Sequence, residues 1–208
     1  IDQLQEILDT NPNLRGLNVT IPYKEKVIEY LDSITPEAQA IGAVNVIRVS
    51  HEGKKIKLKG YNSDVIGFTQ SIESMLDRNW HKKALVLGTG GASKAINYGL
   101  KSLGLETVFV SRYQRPDTIQ YKDITPDVIK EYNVIVNCTP LGMYPHTEEC
   151  PQLPYEAMDY HNILYDLIYN PDETLFMKRG RERGAEVKNG LEMLLLQAFA
   201  SWEFWHEK

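Results

Sequence analysis

Apolar residues recur along this chain in two different patterns, and the change falls near Lys83. Before that point short segments alternate. Asp2 to Leu8 reads as a helix through Leu4, Ile7 and Leu8, Leu17 to Thr20 as extended, and Lys24 to Leu31 as helical. Val44 to Val49 is extended, and after a turn at His51-Glu52-Gly53 the segment Lys54 to Leu58 returns as the second arm of a hairpin. Asp64 to Leu76 spaces Ile66, Phe68, Ile72, Met75 and Leu76 close to a helical period. After Lys83 the style changes. Ala84-Leu85-Val86-Leu87 is a continuous apolar run, as expected of a strand covered on both faces. Gly88-Thr89-Gly90-Gly91, a helix from Ala92 to Leu103 and a strand from Thr107 to Val110 complete one βαβ unit. The runs Val134–Asn137 and Ile163–Asp166, a helix between Asp172 and Arg183, and a strand at Ala185–Val187 continue the alternation. The fold class is therefore α/β, with a doubly wound parallel sheet of about four to six strands. The apolar helix from Leu191 to Trp205 is expected to pack back on the first domain. Its Met193, Leu194, Leu195, Leu196, Phe199 and Trp202 are expected in the core.

Composition narrows the function classes. The 208 residues suffice for one large domain or two small ones, and 42% hydrophobic with 25% charged residues is ordinary for a globular protein. With 23 Lys+Arg against 28 Asp+Glu the net charge is −5, which disfavours nucleic acid as a partner. No apolar run approaches the roughly 20 residues of a membrane helix, so no membrane partner is expected. Two cysteines give neither a disulfide framework nor a metal-ligand spacing, so no metal is expected and the compartment reads as reducing, most simply cytoplasmic. Cys138 is read as a buried small residue and Cys150 as a loop thiol. A homodimer is left open.

Three places carry candidate chemistry. Asn18 and Thr20 sit two apart, which on a strand places them on one face, and Pro22 then turns the chain toward Lys24. A lysine held beside short polar groups can donate or accept a proton; it can equally be a surface lysine at a strand end. The loop from Gly88 through Thr89, Gly90, Gly91 and Ala92 to Ser93 lies between a buried strand and a helix start. There the glycines permit a tight turn and close approach to a pyrophosphate. Ser93 stands where the strict pattern has a third glycine. About 20 residues on, where an acidic residue would hold a ribose hydroxyl, the chain has Ser111-Arg112-Tyr113, with Arg115 close by. An arginine there suits a 2′-phosphate, hence NADP(H), and its plane can stack on adenine; a solvated arginine is the alternative. Asp64 opens a helix and can serve as its N-cap.

Seven segments, in order, resemble the shikimate dehydrogenase family. They are Asn18-Val19-Thr20-Ile21-Pro22-Tyr23-Lys24-Glu25, Gly42-Ala43-Val44-Asn45, Asn62-Ser63-Asp64 with Gly67, and Gly88-Thr89-Gly90-Gly91-Ala92-Ser93. The others are Asn137-Cys138-Thr139-Pro140 with Gly142-Met143, Asp166 through Pro171, and Asn189-Gly190 with Met193-Leu194 and Gln197. The resemblance implies a Rossmann-like NADP-binding domain over 65–189. A smaller α/β substrate domain would be formed by 1–64 and completed by 190–208. It implies NADPH-dependent reversible reduction of 3-dehydroshikimate to shikimate, a step toward aromatic amino acids. Lys24 and Asp64 match the catalytic pair. Thr20, Asn45, Tyr169 and Gln197, with Asn18 beside them, match substrate-holding positions. Gly88 to Ser93, Ser111, Arg112, Thr139, Leu167 and Gly190 match cofactor contacts. Where the family usually has Asn this chain has Ser111. The family also begins with a further segment bearing a Ser-x-Ser pair for the substrate carboxylate, so an N-terminally incomplete chain that binds substrate poorly is expected. The rivals are a quinate/shikimate dehydrogenase using NAD and a non-catalytic ligand sensor.

Overall fold

The structure is a computed structural model that describes residues 1–53 and 55–207. The chain opens with α1 (Leu4–Thr10), a short strand β1 (Gly16–Asn18), and a 3₁₀ turn at Lys26–Tyr30. Next come β2 (Ser33–Ile34), α2 (Pro36–Ile41), and the hairpin of β3 (Val46–Glu52) and β4 (Lys55–Tyr61). These strands form a four-stranded sheet in the order β1-β3-β4-β2. α3 (Asp64–Ile72) then leads to a second sheet. It is built from β5 (Lys83–Leu87), α4 (Gly91–Ser102), β6 (Glu106–Ser111), β7 (Thr118–Gln120) and α5 (Pro126–Glu131). β8 (Val134–Asn137), β9 (Ile163–Asp166), α6 (Leu175–Arg181) and β10 (Glu186–Lys188) complete it, and α7 (Leu191–His206) ends the chain.

All pairings in the second sheet are parallel, in the order β10-β9-β8-β5-β6-β7. The order reverses between β5 and β8, the switch point where ligands of doubly wound sheets bind beyond the strand ends. The period of two along β5 explains the layering. Ala84 and Val86 face Phe68, Ile72, Ile96, Leu100 and Met193 on one side, whereas Leu85 and Leu87 face Ile129, Phe176 and Met177 on the other. Both faces are dry, so each fully buried Leu or Ile here contributes about 1.5–3 kcal/mol. A third core (Leu4, Leu8, Val27, Ile47, Val49, Leu58) lies on the small sheet. α3 packs along both α4 and α7, bridging the sheets.

Several expectations shift. Lys24 lies in a turn, and only Lys26–Tyr30 of the expected helix winds up, as 3₁₀. β1 ends at Asn18, so Thr20 falls beyond the strand. The Asp64 helix ends at Ile72 and continues as 3₁₀ to Met75. The expected start of the hairpin's return arm, Lys54, lies outside the described residues. The largest correction concerns α7: Met193 is buried, but Leu195, Phe199 and Trp202 are more than half exposed. A helix apolar on all sides can cover the rest of the protein with only one of them. α2 and α5 were not expected, although each carries a Thr-Pro start. Thr35 and Thr125 cap them by accepting hydrogen bonds from the N–H groups of Ala38 and Val128.

Candidate active site

Asp64 is the first residue of α3 and is buried, with both carboxylate oxygens taken. Oδ2 lies 2.6 Å from Lys24 Nζ, and Oδ1 accepts from Asn45 Nδ2 at 2.8 Å. The lysine is led there by the turn after Pro22, and its carbonyl accepts the Val44 N–H at 2.8 Å, which fixes the backbone beside Asn45. Only 13% of the Lys24 side chain is exposed, so the surface-lysine alternative does not describe it. Asp64 does not cap its own helix; Ser63 stands at the N-cap position without a side-chain capping bond, and Asn62 Oδ1 accepts the Val65 N–H at 3.3 Å.

The cluster continues through Ser63, a residue to which the sequence alone assigned no role. Ser63 Oγ accepts from Asn45 Nδ2 at 3.0 Å, lies 3.2 Å from Gln197 Oε1, to which it donates, and sits 3.0 Å from the Ser201 hydroxyl. Asn45 Oδ1 also accepts the Ser63 N–H at 2.7 Å. Lys24, Asn45, Asp64 and Gln197 therefore belong to one network joining the small sheet, α3 and α7. Asn18 is exposed at the end of β1, in register with Val46, and Val19 N–H donates to the Asn45 carbonyl at 2.8 Å, so Asn18 and Thr20 flank the same corner. Tyr169 is half exposed on the loop after β9 and is not joined to this network by any side-chain bond among the described residues.

Across the cleft lies the glycine loop. Gly88 has φ +106°, in the left-handed region that a side chain rarely adopts, and its N–H donates to the Val110 carbonyl. Gly90 precedes the first turn of the 12-residue α4, and a Cβ there would meet open space. Thr89 Oγ1 accepts from Arg115 at 3.2 Å, and the buried Ser93 hydroxyl donates to the Gly90 carbonyl at 2.7 Å, tightening the turn. Ala92 lies within the same turn. Gly91 approaches the Lys24–Asp64 corner itself: a Cβ there would lie 3.3 Å from Lys24 Cβ. Glu25 and Lys94 pair beside this contact at 2.7 Å. Ser111 is buried at the end of β6, and Arg112 is exposed with its guanidinium 5.8 Å from the Tyr113 ring. Beside Arg112 opens a cavity of about 740 Å³ of mixed charge, lined also by Tyr121, Lys122 and Arg179 and by the carboxylates of Glu148 and Glu149. An open helix start and a glycine turn, with Arg112 just past the end of the neighbouring strand, fit a phosphate-bearing dinucleotide. Thr139 and Leu167 follow β8 and β9 at the same edge. Gly190 N–H donates to Ile168 O at 3.0 Å, where the chain crosses into α7.

Cys138 sits in this crevice but is no nucleophile. Burial, with the Asp166 and Asp64 carboxylates nearby, pushes its thiol well up, so it stays protonated. Among the described residues no group of His, Cys, Asp and Glu could hold a metal ion, and no helix is long and apolar enough to cross a membrane.

Comparison with known proteins agrees with this geometry. Residues 1–47 match the family described as the shikimate dehydrogenase substrate binding domain. A shikimate dehydrogenase (NADP(+)) of Carboxydothermus hydrogenoformans is 40% identical over 207 residues, covering 93% of this chain and 72% of that protein. The crystal structure of shikimate 5-dehydrogenase from Thermus thermophilus in complex with NADP(H) and shikimate superimposes with a TM-score of 0.83. It is 30% identical, and the match covers 99% of this chain and 78% of the other. Quinate dehydrogenase from Corynebacterium glutamicum in complex with NAD is similar too, with a TM-score of 0.83 at 26% identity, covering 97% and 77%. The chain belongs to the shikimate dehydrogenase family.

Proposed function

We infer that this chain catalyses the NADPH-dependent, reversible reduction of 3-dehydroshikimate to shikimate. The observation that carries the reading is the buried Lys24–Asp64 pair at 2.6 Å, set directly against the first turn of the helix that follows the glycine loop. When bound, the nicotinamide supplies or takes the hydride. Lys24 holds the proton that reaches the substrate oxygen and, as an ammonium, stabilises the charge developing there. Asp64 keeps that ammonium oriented through the 2.6 Å contact of its Oδ2 with Lys24 Nζ. Asn18, Thr20, Asn45, Tyr169 and Gln197 hold the ring hydroxyls and carboxylate. Such a set rejects analogues lacking a hydroxyl by leaving site polar groups unpaired. Gly88 to Ser93, Ser111, Arg112, Thr139, Leu167 and Gly190 hold the dinucleotide, with Arg112 on the 2′-phosphate.

In this reading 1–64 with 190–208 forms the substrate domain and 65–189 the NADP domain. The enzyme works in the cytoplasm on a small molecule without nucleic acid, and a homodimer is compatible with it. The nearest rival is an NAD-using quinate dehydrogenase; Arg112 at the end of β6 speaks for NADP. Steady-state oxidation of NADPH and NADH, each with 3-dehydroshikimate and 3-dehydroquinate, tests the reading. The expected outcome is a preference for NADPH with 3-dehydroshikimate, whereas a preference for NADH with 3-dehydroquinate overturns it. A protein that binds these ligands without oxidising either nucleotide would be a sensor.

A further inference from the structure

Two loops leave neighbouring strands at the carboxyl edge of the parallel sheet, and one buried carboxylate ties them together. Asp166 ends β9 in register with Asn137 at the end of β8, and both are fully buried. Asp166 Oδ1 accepts from Asn137 Nδ2 at 3.1 Å and from the Ile168 N–H at 3.0 Å, while Oδ2 accepts from Thr174 Oγ1 at 2.6 Å. Asn137 passes the constraint on: its Oδ1 accepts from the Thr139 N–H at 3.0 Å and from Thr139 Oγ1 at 2.7 Å. Thr139 Oγ1 then accepts the Leu141 N–H at 3.3 Å. Farther out the loops meet again, where the Tyr144 N–H donates to the Asn170 carbonyl at 3.3 Å.

The Asn137 amide and the Ile168 N–H aimed at Oδ1 can only donate, so that oxygen must accept, whereas the Thr174 hydroxyl facing Oδ2 can donate to a carboxylate or turn to accept. Burial opposes ionisation of Asp166 and pushes its pKa up to about 6, against the lowering effect of the three hydrogen bonds. A buried charge of this kind is a poor way to stabilise a sheet, since well-packed apolar side chains serve as well or better. What it does supply is a fixed direction for every donor around it.

We propose that Asp166 is a positioning residue that holds the 137–141 and 167–174 loops in the geometry that presents Thr139 and Leu167 to the cofactor and Tyr169 to the substrate. It acts through Asn137, Ile168 and Thr174 and touches neither ligand. The proposal rests on the dehydrogenase reading above, and its test separates the two.

Asp166→Ala, Asp166→Asn and Thr174→Val are compared with the parent chain for kcat, for the KM of NADPH and of 3-dehydroshikimate, and for melting temperature. Asp166→Ala, assayed well below its melting temperature, is expected to raise the KM for NADPH by about 10-fold or more, as the loss of charge-assisted hydrogen bonds implies. Asp166→Asn keeps an accepting oxygen and is expected to recover most of that loss. Thr174→Val removes one donor and should shift the KM for NADPH a few-fold in the same direction. Should the alanine variant fail to fold, the other two decide. Kinetic constants within about twofold of the parent in every folded variant, with only the melting temperature lowered, would overturn the proposal. A parent chain that does not oxidise NADPH would instead overturn the functional reading.

Discussion

Around Asp64 both carboxylate oxygens and both ends of the Asn45 amide already have protein partners, whereas beside Gly90 the chain leaves open space. The first region is assembled from side chains converging from the small sheet, α3 and α7. The second is a strand end, a left-handed glycine and the start of α4. The contrast follows from the tasks. Proton transfer needs atoms held to within a few tenths of an ångström before the ligand arrives, and buried hydrogen-bonded groups achieve this. Pyrophosphate is held by backbone donors and helix polarity, which need room and little side-chain chemistry. Substitutions in the two regions should accordingly fail in different ways.

The sharpest separation comes from Lys24→Ala, which should lower kcat by about 10²–10⁴ while the KM for NADPH stays within a few-fold. An unchanged kcat with a raised KM for 3-dehydroshikimate would make Lys24 a binding group. On the other side of the cleft, Arg112→Ala should raise the KM for NADPH by about 10–100-fold with NADH nearly unaffected, since only the 2′-phosphate loses its charged partner. Equal losses with both nucleotides would show that Arg112 acts on the adenine instead.

A third measurement concerns stability. The carboxyl of Asp166 titrates at about 6 in the folded protein against 3.8 as its ordinary value. Its folded value is the higher one, so its favourable contribution is complete below the ordinary value and declines as pH rises through about 6. Asp166→Asn removes this slope and should gain about 2 kcal/mol relative to the parent between pH 4 and 7, measured by denaturant unfolding at each pH. Parallel profiles for the two proteins would mean that Asp166 ionises no differently when folded. The smallest effect is expected at Lys94→Met. Its pair with Glu25 crosses the cleft but is substantially exposed, so melting should change by no more than about 1 kcal/mol in stability.

The parts legible in the sequence share one physical property: they are local. Val134–Asn137 and Ile163–Asp166 match β8 and β9 residue for residue, because a strand dry on both faces is a bare apolar run. β7 and β2 were not expected; they are edge strands of two or three partly exposed residues, as are β1 and β10, whose extended segments were expected. α2 and α5 were missed although Thr35-Pro36 and Thr125-Pro126 carry a local start signal. The exposed face of α7 was not readable, since periodicity cannot say which apolar side finds a partner. Lys24 and Asp64 were nominated as a pair only through resemblance, and the 2.6 Å contact across forty residues agrees with it. Ser63, linking Asn45 to Gln197 and Ser201, could not have been found by spacing alone, because its partners come from β3 and α7.

The near-contact of Gly91 with Lys24 bears on how such an enzyme can be altered. A side chain placed at Gly91 would press on Lys24, so on the proposed role of that lysine a change there to redirect nucleotide choice is expected to be read out as lost turnover. Mutational effects at Gly91 and at Lys24 should be non-additive for the same reason. Arg112 is exposed, and neither Lys24 nor Gly91 lines the cavity beside it. On the proposed roles, nucleotide preference is therefore best redesigned at Arg112, where a change can alter the cofactor without disturbing Lys24.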